Sequence, residues 1–298
     1  MKMHRLLVCT LLLFIQILRA QTIGTILNDN INRNFVYYVP SSWNESQQWP
    51  LVIVLHGLTQ TGAGVMNITQ FNDLAENNHF IVCYPDGINN AWNANMNITV
   101  SNADDIGFIE KLALYFQNSY HTDPIRQYLV GFSNGGFMSY KMVCESKMCF
   151  AALAVVSATM SDTVYSNCNP TFRPSLLHIH GTSDFVVPYD GSSQTGVSVL
   201  QAIDKWKGYL NCDATPTIIN MPDNNLLDLS NPQEINYINC DAPLQHIKIN
   251  GGGHQWPGIN TFVGGTGTIN MDFYSPQYIW DFLSNKVCPS ASIDAIPS

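Results

Sequence analysis

One serine in the chain has the neighbours that a nucleophile requires. Ser133 lies in the segment Gly131-Phe132-Ser133-Asn134-Gly135, a G-x-S-x-G pattern. This pattern occurs where a strand turns sharply into a helix, because the crowded turn tolerates only small residues two positions to either side of the serine. The turn exposes the hydroxyl and directs the first N–H groups of the helix at a developing negative charge. The pattern therefore predicts acyl transfer with Ser133 as the nucleophile.

A serine hydroxyl attacks an acyl group only when a base takes its proton and an acid orients that base. His254 is the predicted base, because it lies in a glycine-rich loop after the last predicted strand. Asp184 is the predicted acid, because it follows the end of a buried strand, where the sites of open α/β sheets lie. Three other aspartates compete for this role, and only its position after a strand favours Asp184: Asp162, Asp190 and Asp204.

Two further features of the site are predicted from their positions. An oxyanion needs two N–H donors, and the backbone of Asn134, directly after the nucleophile, supplies the first. The second is expected from the turn after an apolar strand, from Leu58 or, failing that, from Thr59. Trp92 and Trp256 are predicted to bind substrate as an aromatic wall, with ordinary core packing as the alternative for both.

Strand and helix patterns that alternate along the chain position these groups. Continuous apolar runs, typical of strands covered on both faces of a parallel sheet, occur at Leu51–Leu55, Phe80–Tyr84, Ala151–Val156 and Leu176–His180. Helical patterns occur at Thr69–Asn78, Asp104–Asn118, Phe137–Val143, Val197–Leu210 and Pro276–Lys286. The alternation predicts an α/β protein with a mostly parallel sheet and flanking helices.

The remaining segments extend this plan. Asn34–Val39 is predicted to be an early edge strand, and Gln245–Ile249 the last strand of the core. The polar, turn-rich segment Thr215–Tyr237 is predicted to be a hairpin outside the main sheet. His56 follows an apolar strand directly, and we expect it to hold the turn rather than to contact substrate.

The first 20 residues are predicted to be a signal peptide that is removed. Basic residues precede the apolar run Leu6–Leu18, and Ala20 lies where a signal peptidase would cut. Residues 21–298 contain no repeat or linker and are predicted to be a single domain. No later stretch has the length of a transmembrane helix. The sequence therefore predicts a secreted, extracellular protein that does not enter membranes.

Charge and sequons narrow the class of partner. The chain has 22 acidic and 13 basic residues, a formal charge of −9, which argues against nucleic acid or an anionic membrane as partner. N-x-S/T sequons at Asn44, Asn67 and Asn97 predict glycosylation. We expect a monomer whose partner is an ester substrate, including one linked to a polymer.

Seven cysteines follow the predicted signal peptide. Cys83 lies in an apolar strand and is predicted to be a buried free thiol. The other six can pair in an oxidising compartment. We expect Cys212 to bond Cys240, because they bracket the turn-rich segment, and Cys144 to bond Cys168, which ties the helix after Ser133 to a later loop. No spacing of cysteines and histidines suits zinc, so no metal and no cofactor are expected.

Six motifs in register resemble those of one family: LVIVLHGLTQTG, YPDG followed by Trp92, DDIGFIEKL, GFSNGGFMSYKM, HIHGTSDFVVPYDG and GGGHQWPG. Together they resemble the secreted polyhydroxybutyrate depolymerase and feruloyl esterase group, related to carbohydrate esterase family one. The resemblance runs from about Asn34 to Phe282. It implies an α/β-hydrolase fold without a large lid, and a serine esterase that uses Ser133, Asp184 and His254.

The residues and the resemblance together predict a secreted serine carboxylic ester hydrolase that acts through an acyl-enzyme. Feruloyl or related esters of plant cell-wall polysaccharides are the expected substrates, and polyhydroxyalkanoates such as polyhydroxybutyrate are the alternative. Only 19 residues, Ser157–Ser175, connect the two strands where a lid would be inserted, so the site is expected to be open. Further alternatives are an acetylxylan esterase, an exopeptidase, and a non-catalytic adhesion protein that would have lost a triad residue.

Overall fold

A computed structural model describes residues 21–96, 101–261 and 265–288. The strands are β1 (Thr22–Asn28), β2 (Ile31–Tyr38), β3 (Trp49–Leu55), β4 (Ile81–Pro85), β5 (Thr122–Phe132), β6 (Ala152–Val156), β7 (Ser175–Gly181), β8 (Thr217–Asn220), β9 (Asn231–Tyr237) and β10 (Leu244–Asn250). The helices are α1 (Gly62–Thr69), α2 (Phe71–Asn78), α3 (Asp105–Tyr120), α4 (Asn134–Glu145), α5 (Asp162–Asn167), α6 (Val199–Tyr209) and α7 (Ser275–Leu283). The predicted signal peptide and the sequon at Asn97 lie outside the described residues, and they stay predictions.

All ten strands form one sheet in the order β1-β2-β4-β3-β5-β6-β7-β10-β9-β8. The six strands from β4 to β10 in that order run parallel, and antiparallel strands flank them on both sides. Every residue of β3, β4, β6 and β7 is buried, as the continuous apolar runs require. The predicted α/β architecture with a mostly parallel sheet is therefore confirmed.

Helices cover both faces of the sheet, and side-chain alternation along each strand gives each face its own core. On β3, Leu51 and Ile53 pack toward the face that carries α3, α4 and α6, whereas Val52 and Val54 pack toward α1, α2 and α7. The connection from β6 to β7 contains only the six-residue helix α5. The described residues therefore contain no large lid there, in keeping with the expected open site.

The edges of the sheet differ from the prediction. Asn34–Val39 was expected at an edge, but β1 pairs along the outer side of β2, from Thr22 opposite Tyr37. The two strands are joined at Asp29 and Asn30, which both have positive φ, as tight hairpin turns require. Thr215–Tyr237 was expected outside the main sheet, yet its second strand pairs with β10 and so extends the sheet.

The predicted helix Thr69–Asn78 begins two residues later, at Phe71, and an unpredicted helix precedes it. The segment Thr69–Asn78 is interrupted at Gln70, where φ is 55° and the helical path cannot continue. A helix that was not predicted, α1, ends just before this residue. No helix among residues 21–96, 101–261 and 265–288 is long and apolar enough to cross a membrane.

The cysteines pair as expected. Cys144 bonds Cys168, Cys212 bonds Cys240, and the remaining pair is Cys149 with Cys288. Cys83 is a buried free thiol in β4. Asn44 and Asn67 are exposed, and their glycosylation stays a prediction.

Candidate active site

Ser133 stands at a strained corner between β5 and α4. The strand ends at Phe132, the helix begins at Asn134, and Ser133 between them has φ 51° and ψ −122°. Such a backbone conformation costs an L-residue about 1–3 kcal/mol. A Cβ on Gly131 would lie 2.3 Å from the carbonyl oxygen of Gly135, so the first glycine cannot be replaced without a shift of the backbone. The G-x-S-x-G pattern therefore forms the predicted turn.

The structure brings the three predicted triad residues into contact. His254 Nε2 lies 2.9 Å from Ser133 Oγ, and His254 Nδ1 lies 2.8 Å from Asp184 Oδ2. A carboxylate can only accept, so Nδ1 carries the proton and Nε2 is free to accept the proton of the serine hydroxyl. This is the tautomer in which an imidazole can act as a general base.

Asp184 is held as a carboxylate by donors on both oxygens. Oδ1 accepts the backbone N–H groups of Val186 and Val187 at 2.9 and 2.8 Å. Oδ2 faces His254 Nδ1 and, at 3.3 Å, His180 Nε2. Burial raises the pKa of Asp184, but the hydrogen bonds from His180 and His254 outweigh it and hold the pKa below its usual range. Of the four candidate aspartates, Asp184 is the one hydrogen-bonded to His254 Nδ1 in the part of the chain that the structure describes.

The loop after β10 places His254 over the serine. The backbone N–H groups of Gly253 and His254 donate to the carbonyl oxygens of Thr268 and Thr266 at 2.9 and 2.7 Å. A Cβ on Gly265 would lie 1.8 Å from the carbonyl oxygen of His254, so the two segments pass too closely for a side chain there. Gly265 therefore lets its segment pack closely against the backbone of His254, and this packing fixes the position of the imidazole.

The structure favours Leu58 over Thr59 as the second oxyanion donor. Thr59 has φ 67°, and its N–H already donates to Asn90 O at 2.8 Å. Leu58 lines the cavity that opens onto Ser133. Asn134 is the first residue of α4, so its N–H has no partner within the helix. Asn134 and Leu58 thus lie at the start of α4 and in the turn after β3, and their roles as oxyanion donors stay predictions.

Trp92 is not a wall of the site, and that prediction is wrong. Its side chain is fully buried and stacks near His56, with ring centroids 4.9 Å apart. Its indole N–H donates to His56 O at 3.0 Å, and its backbone N–H donates to Asn134 Oδ1 at 2.7 Å. Trp92 therefore links the turn after β3 to the first residue of α4, the two segments that contain the predicted oxyanion donors.

His56 holds its turn as expected. Gly87 N–H donates to Nε2 at 2.9 Å, so Nδ1 carries the proton and donates to Gly57 O at 2.7 Å. Burial lowers the pKa of His56, in keeping with this neutral form.

Trp256 does not line the site either. Its side chain is fully buried in the core and packs edge-on against Phe132, with ring centroids 6.1 Å apart. The indole N–H has no partner among the described residues. Proximity to His254 in sequence misled the prediction, because the chain turns inward after the histidine.

The entrance to the site is a small open cavity with an apolar rim. Its volume is about 190 Å³, and it is lined by Gly57, Leu58, Thr59, Gln60, Phe132, Ser133, Val186, His254 and Gly265. Leu58 and Val186 are 43% and 44% exposed, and Phe185, between Asp184 and Val186, is 80% exposed. We call Leu58 and Val186, which line the cavity, together with the exposed residue Phe185, which directly precedes Val186 in the sequence, the apolar rim. The prediction missed Phe185 and Val186, although two apolar residues directly after the polar turn at Asp184 were a visible signal.

Metal-ligand groupings do not occur in the part of the chain that the structure describes. There, no three or more His, Cys, Asp and Glu side chains are arranged to hold an ion.

Comparison with known proteins places the chain among esterases. The family model for esterases matches residues 26–205. The bifunctional acetylxylan esterase/xylanase XynS20E of Neocallimastix patriciarum is 26% identical over 85% of this chain, which spans 33% of that longer protein. Feruloyl esterase C of Emericella nidulans is 25% identical over 78% of this chain and 81% of that protein.

Solved structures share the fold. An acetyl xylan esterase from Aspergillus awamori superimposes with a TM-score of 0.60 at 18% identity, over 78% of this chain and 94% of the other. A thermostable esterase superimposes with a TM-score of 0.56 at 14% identity, over 90% of this chain and 63% of the other. At these identities the likeness establishes the fold of the chain.

Proposed function

The chain belongs to the esterase family and is a carboxylic ester hydrolase, and on that premise we propose that it is a secreted serine esterase that acts through an acyl-enzyme. The observation that carries the serine mechanism is the contact of His254 Nε2 with Ser133 Oγ at 2.9 Å, on a turn whose backbone conformation is strained. Three disulfides support passage through an oxidising compartment.

The proposed reaction has two steps. Ser133 Oγ attacks the ester carbonyl carbon while His254 Nε2 takes the hydroxyl proton, and Asp184 stabilises the imidazolium. The N–H groups of Asn134 and Leu58 bind the oxyanion. His254 then gives the proton to the leaving alcohol, and a water molecule, activated by the same base, hydrolyses the acyl-serine.

We propose aromatic acyl esters on a bulky alcohol, such as feruloyl esters of cell-wall polysaccharides, as the substrate class. Several relatives are named feruloyl esterases. The short connection that contains α5 leaves room for a sugar chain on the alcohol side. Phe185 is an exposed ring beside the acid residue, and a flat acyl group that stacks on it would gain about 0.5–1.5 kcal/mol beyond simple burial.

Acetylated xylan is the second candidate, because one relative and one structural neighbour are named acetylxylan esterases. An acetyl group is small enough for the cavity of about 190 Å³ and makes no use of Phe185. The two candidates therefore differ in whether the apolar rim contributes to transition-state binding.

A substrate panel tests the proposal. Methyl ferulate, p-nitrophenyl acetate, acetylated xylan and hydroxybutyrate oligomers are compared by kcat/KM, with Ser133→Ala as the blank. We expect methyl ferulate to exceed the acetyl esters. Faster cleavage of acetylated xylan would favour the second candidate, and faster cleavage of hydroxybutyrate oligomers would move the assignment to polyhydroxyalkanoates.

A further inference from the structure

A second histidine, His180, contacts the same carboxylate oxygen of the triad acid as His254 does. It is the penultimate residue of β7 and is 1% exposed. Its Nε2 lies 3.3 Å from Asp184 Oδ2 and 2.9 Å from Val187 O. Because a carboxylate and a carbonyl can only accept, Nε2 must carry a proton in this arrangement. Asp184 Oδ2 therefore accepts from His254 and also faces the Nε2–H of His180, which divides its donation between Val187 O at 2.9 Å and Asp184 Oδ2 at 3.3 Å.

The other ring nitrogen continues the chain of contacts into the core. His180 Nδ1 lies 3.2 Å from Ala158 O and 3.4 Å from His178 Nε2. His178 Nδ1 in turn lies 2.9 Å from the Tyr140 hydroxyl. With Nε2 of His180 protonated and that ring neutral, the contacts between side chains fit one proton arrangement, in which the tyrosine O–H donates to His178, His178 donates to His180, and His180 faces Asp184 with its N–H. Ala158 O then receives no proton from His180 Nδ1. Burial lowers the pKa of His178 well below its ordinary value, which keeps that ring neutral.

We propose that His180 is a positioning residue that orients the ionised carboxylate of Asp184 toward His254. Without it, Oδ2 would have a single donor and the carboxylate could rotate about the two backbone N–H groups that hold Oδ1. The effect on the reaction passes through Asp184, so the inference rests on the proposed role of Asp184 in the triad. His180 itself touches no substrate.

If His180 had only a structural role, its substitution should have the same effect on turnover as the substitution of another buried histidine in the same cluster. The adjacent His246 is equally buried, accepts from or donates to Tyr189 OH at 2.8 Å, and contacts His178 O at 3.0 Å, but it touches no triad residue. The titratable groups that face His180 itself are Asp184, His178 and Tyr189, the last by a ring contact with centroids 5.8 Å apart. His246 is therefore a matched control for burial within the same cluster.

Two substitutions separate the ring nitrogens. His180→Gln can place an amide N–H near the former Nε2 and keep the donor to Asp184, whereas His180→Asn places its amide near the former Nδ1 and loses that donor. We expect His180→Asn to lower kcat for p-nitrophenyl acetate about tenfold with KM changed less than about twofold. We expect His180→Gln to restore most of kcat, and His246→Asn to leave it within about twofold.

The pH profile gives a readout that packing alone would not move. When the carboxylate of Asp184 can rotate away from His254 Nδ1, it stabilises the imidazolium of His254 less, so the acid limb of kcat/KM should move downward by about 0.3–0.5 pH units in His180→Asn and not in His246→Asn. Two results would overturn the inference. One is an equal loss of kcat in His180→Asn and His180→Gln, and the other is an acid limb that His180→Asn leaves as unmoved as His246→Asn does.

Nitrogen NMR of the wild-type protein labelled in its histidines tests the same point without a substitution. We expect His180 Nε2 to carry a proton throughout the pH range of activity, and an unprotonated Nε2 would overturn the inference. A Ser133→Ala enzyme that still turned over would refute the proposed function instead, so the two failures are distinguishable.

Discussion

Two sets of histidines near Asp184 have different surroundings: His254 alone at the open cavity, and a cluster of three in the core. On one side, His254 has one nitrogen on the carboxylate and the other on a serine hydroxyl at an open cavity. On the other side, His178, His180 and His246 are sealed in the core, and each of their ring nitrogens faces another protein group. A histidine can act as a base only where one nitrogen is left for the reacting group, and here only the open side leaves one.

The two sides also differ in what they contribute to folding. The open side contains strain, because Ser133 has a positive φ at a turn that only its flanking glycines make possible. On the sealed side, burial lowers the pKa of His178 and His246, so the hydrogen bonds of these two rings are stabilising only while the rings stay neutral. Substitutions on the open side should therefore affect turnover, and those on the sealed side that do not reach Asp184, such as at His246, should affect stability and its dependence on pH.

The largest expected effect is on the open side. Ser133→Ala should lower kcat at least about 10⁴-fold, because no other group can form the acyl-enzyme. Ser157 is a matched control, since it also has φ 51°, directly follows the neighbouring strand β6, and donates to Gln255 O at 3.2 Å. Ser157→Ala should stay within about tenfold of wild type, and its folded fraction and that of Ser133→Ala are checked by circular dichroism.

Residual turnover by Ser133→Ala within tenfold of wild type would contradict the assignment of the nucleophile. A comparable loss in Ser157→Ala would show that both effects arise from disturbed turns rather than from the missing hydroxyl.

The next largest effect is a change in the free energy of unfolding that arises from His246 on the sealed side. Burial lowers the pKa of His246 to about 3, whereas in the unfolded chain a histidine takes a proton below pH ~6.5. Between these values the unfolded state binds more protons, so the free energy of unfolding falls as the pH falls through that range. For His246 alone, the loss between pH 7.5 and pH 5 is about 2 kcal/mol.

Urea unfolding of the disulfide-intact protein at both pH values measures this loss. His246→Asn should reduce the dependence of stability on pH by about the same 2 kcal/mol, while His79→Gln, at an exposed histidine, should not. An unchanged pH dependence in His246→Asn would show that this ring is protonated in the folded state.

A smaller effect on kcat/KM is expected at Trp92, a buried residue that contacts the loop of Leu58. Trp92→Phe removes the N–H that donates to His56 O, so the loop that carries Leu58 should loosen. We expect kcat/KM to fall about tenfold on methyl ferulate and p-nitrophenyl acetate alike. Trp256→Phe is the matched control, because the indole N–H of Trp256 has no partner in the described residues to lose. A greater loss on methyl ferulate than on the acetate would restore Trp92 as a wall of the site.

The smallest effect concerns the apolar rim. Phe185→Ala should lower kcat/KM for methyl ferulate about threefold to tenfold more than for p-nitrophenyl acetate, as expected for the loss of one ring contact. Leu227→Ala, at a residue that is 92% exposed, should affect neither substrate. Equal losses on both substrates in Phe185→Ala would remove the rim as a basis for acyl specificity.

The triad and the central strands could be predicted because their signals are local. The fully apolar run of β3 and the glycines around Ser133 each report a backbone requirement that few other arrangements satisfy. Asp184 and His254 were then found from their positions after strands, and the disulfides from the segments that they close. β1 was missed, because its residues are mostly exposed and its pattern carries little apolar signal.

The substrate-binding residues could not be predicted for a physical reason. Whether a large aromatic side chain faces the core or the solvent is decided by several loops together, and a single segment does not report it. Trp92 is buried because its N–H groups find acceptors in the turn after β3 and at the start of α4, whereas Phe185 is exposed although it lies next to the triad acid in the sequence. The contacts of His180 likewise depend on partners from β7 and from the loops after β6 and β7.

Covalent labelling tests the central claim most directly. The enzyme is titrated with an alkyl fluorophosphonate, which reacts with activated serines, and the modified peptide is located by mass spectrometry while residual esterase activity is followed. We predict one adduct per chain, on Ser133, with activity lost in proportion to labelling and no adduct at that position in His254→Ala. An adduct on a different residue, or full activity after Ser133 is modified, would contradict the account.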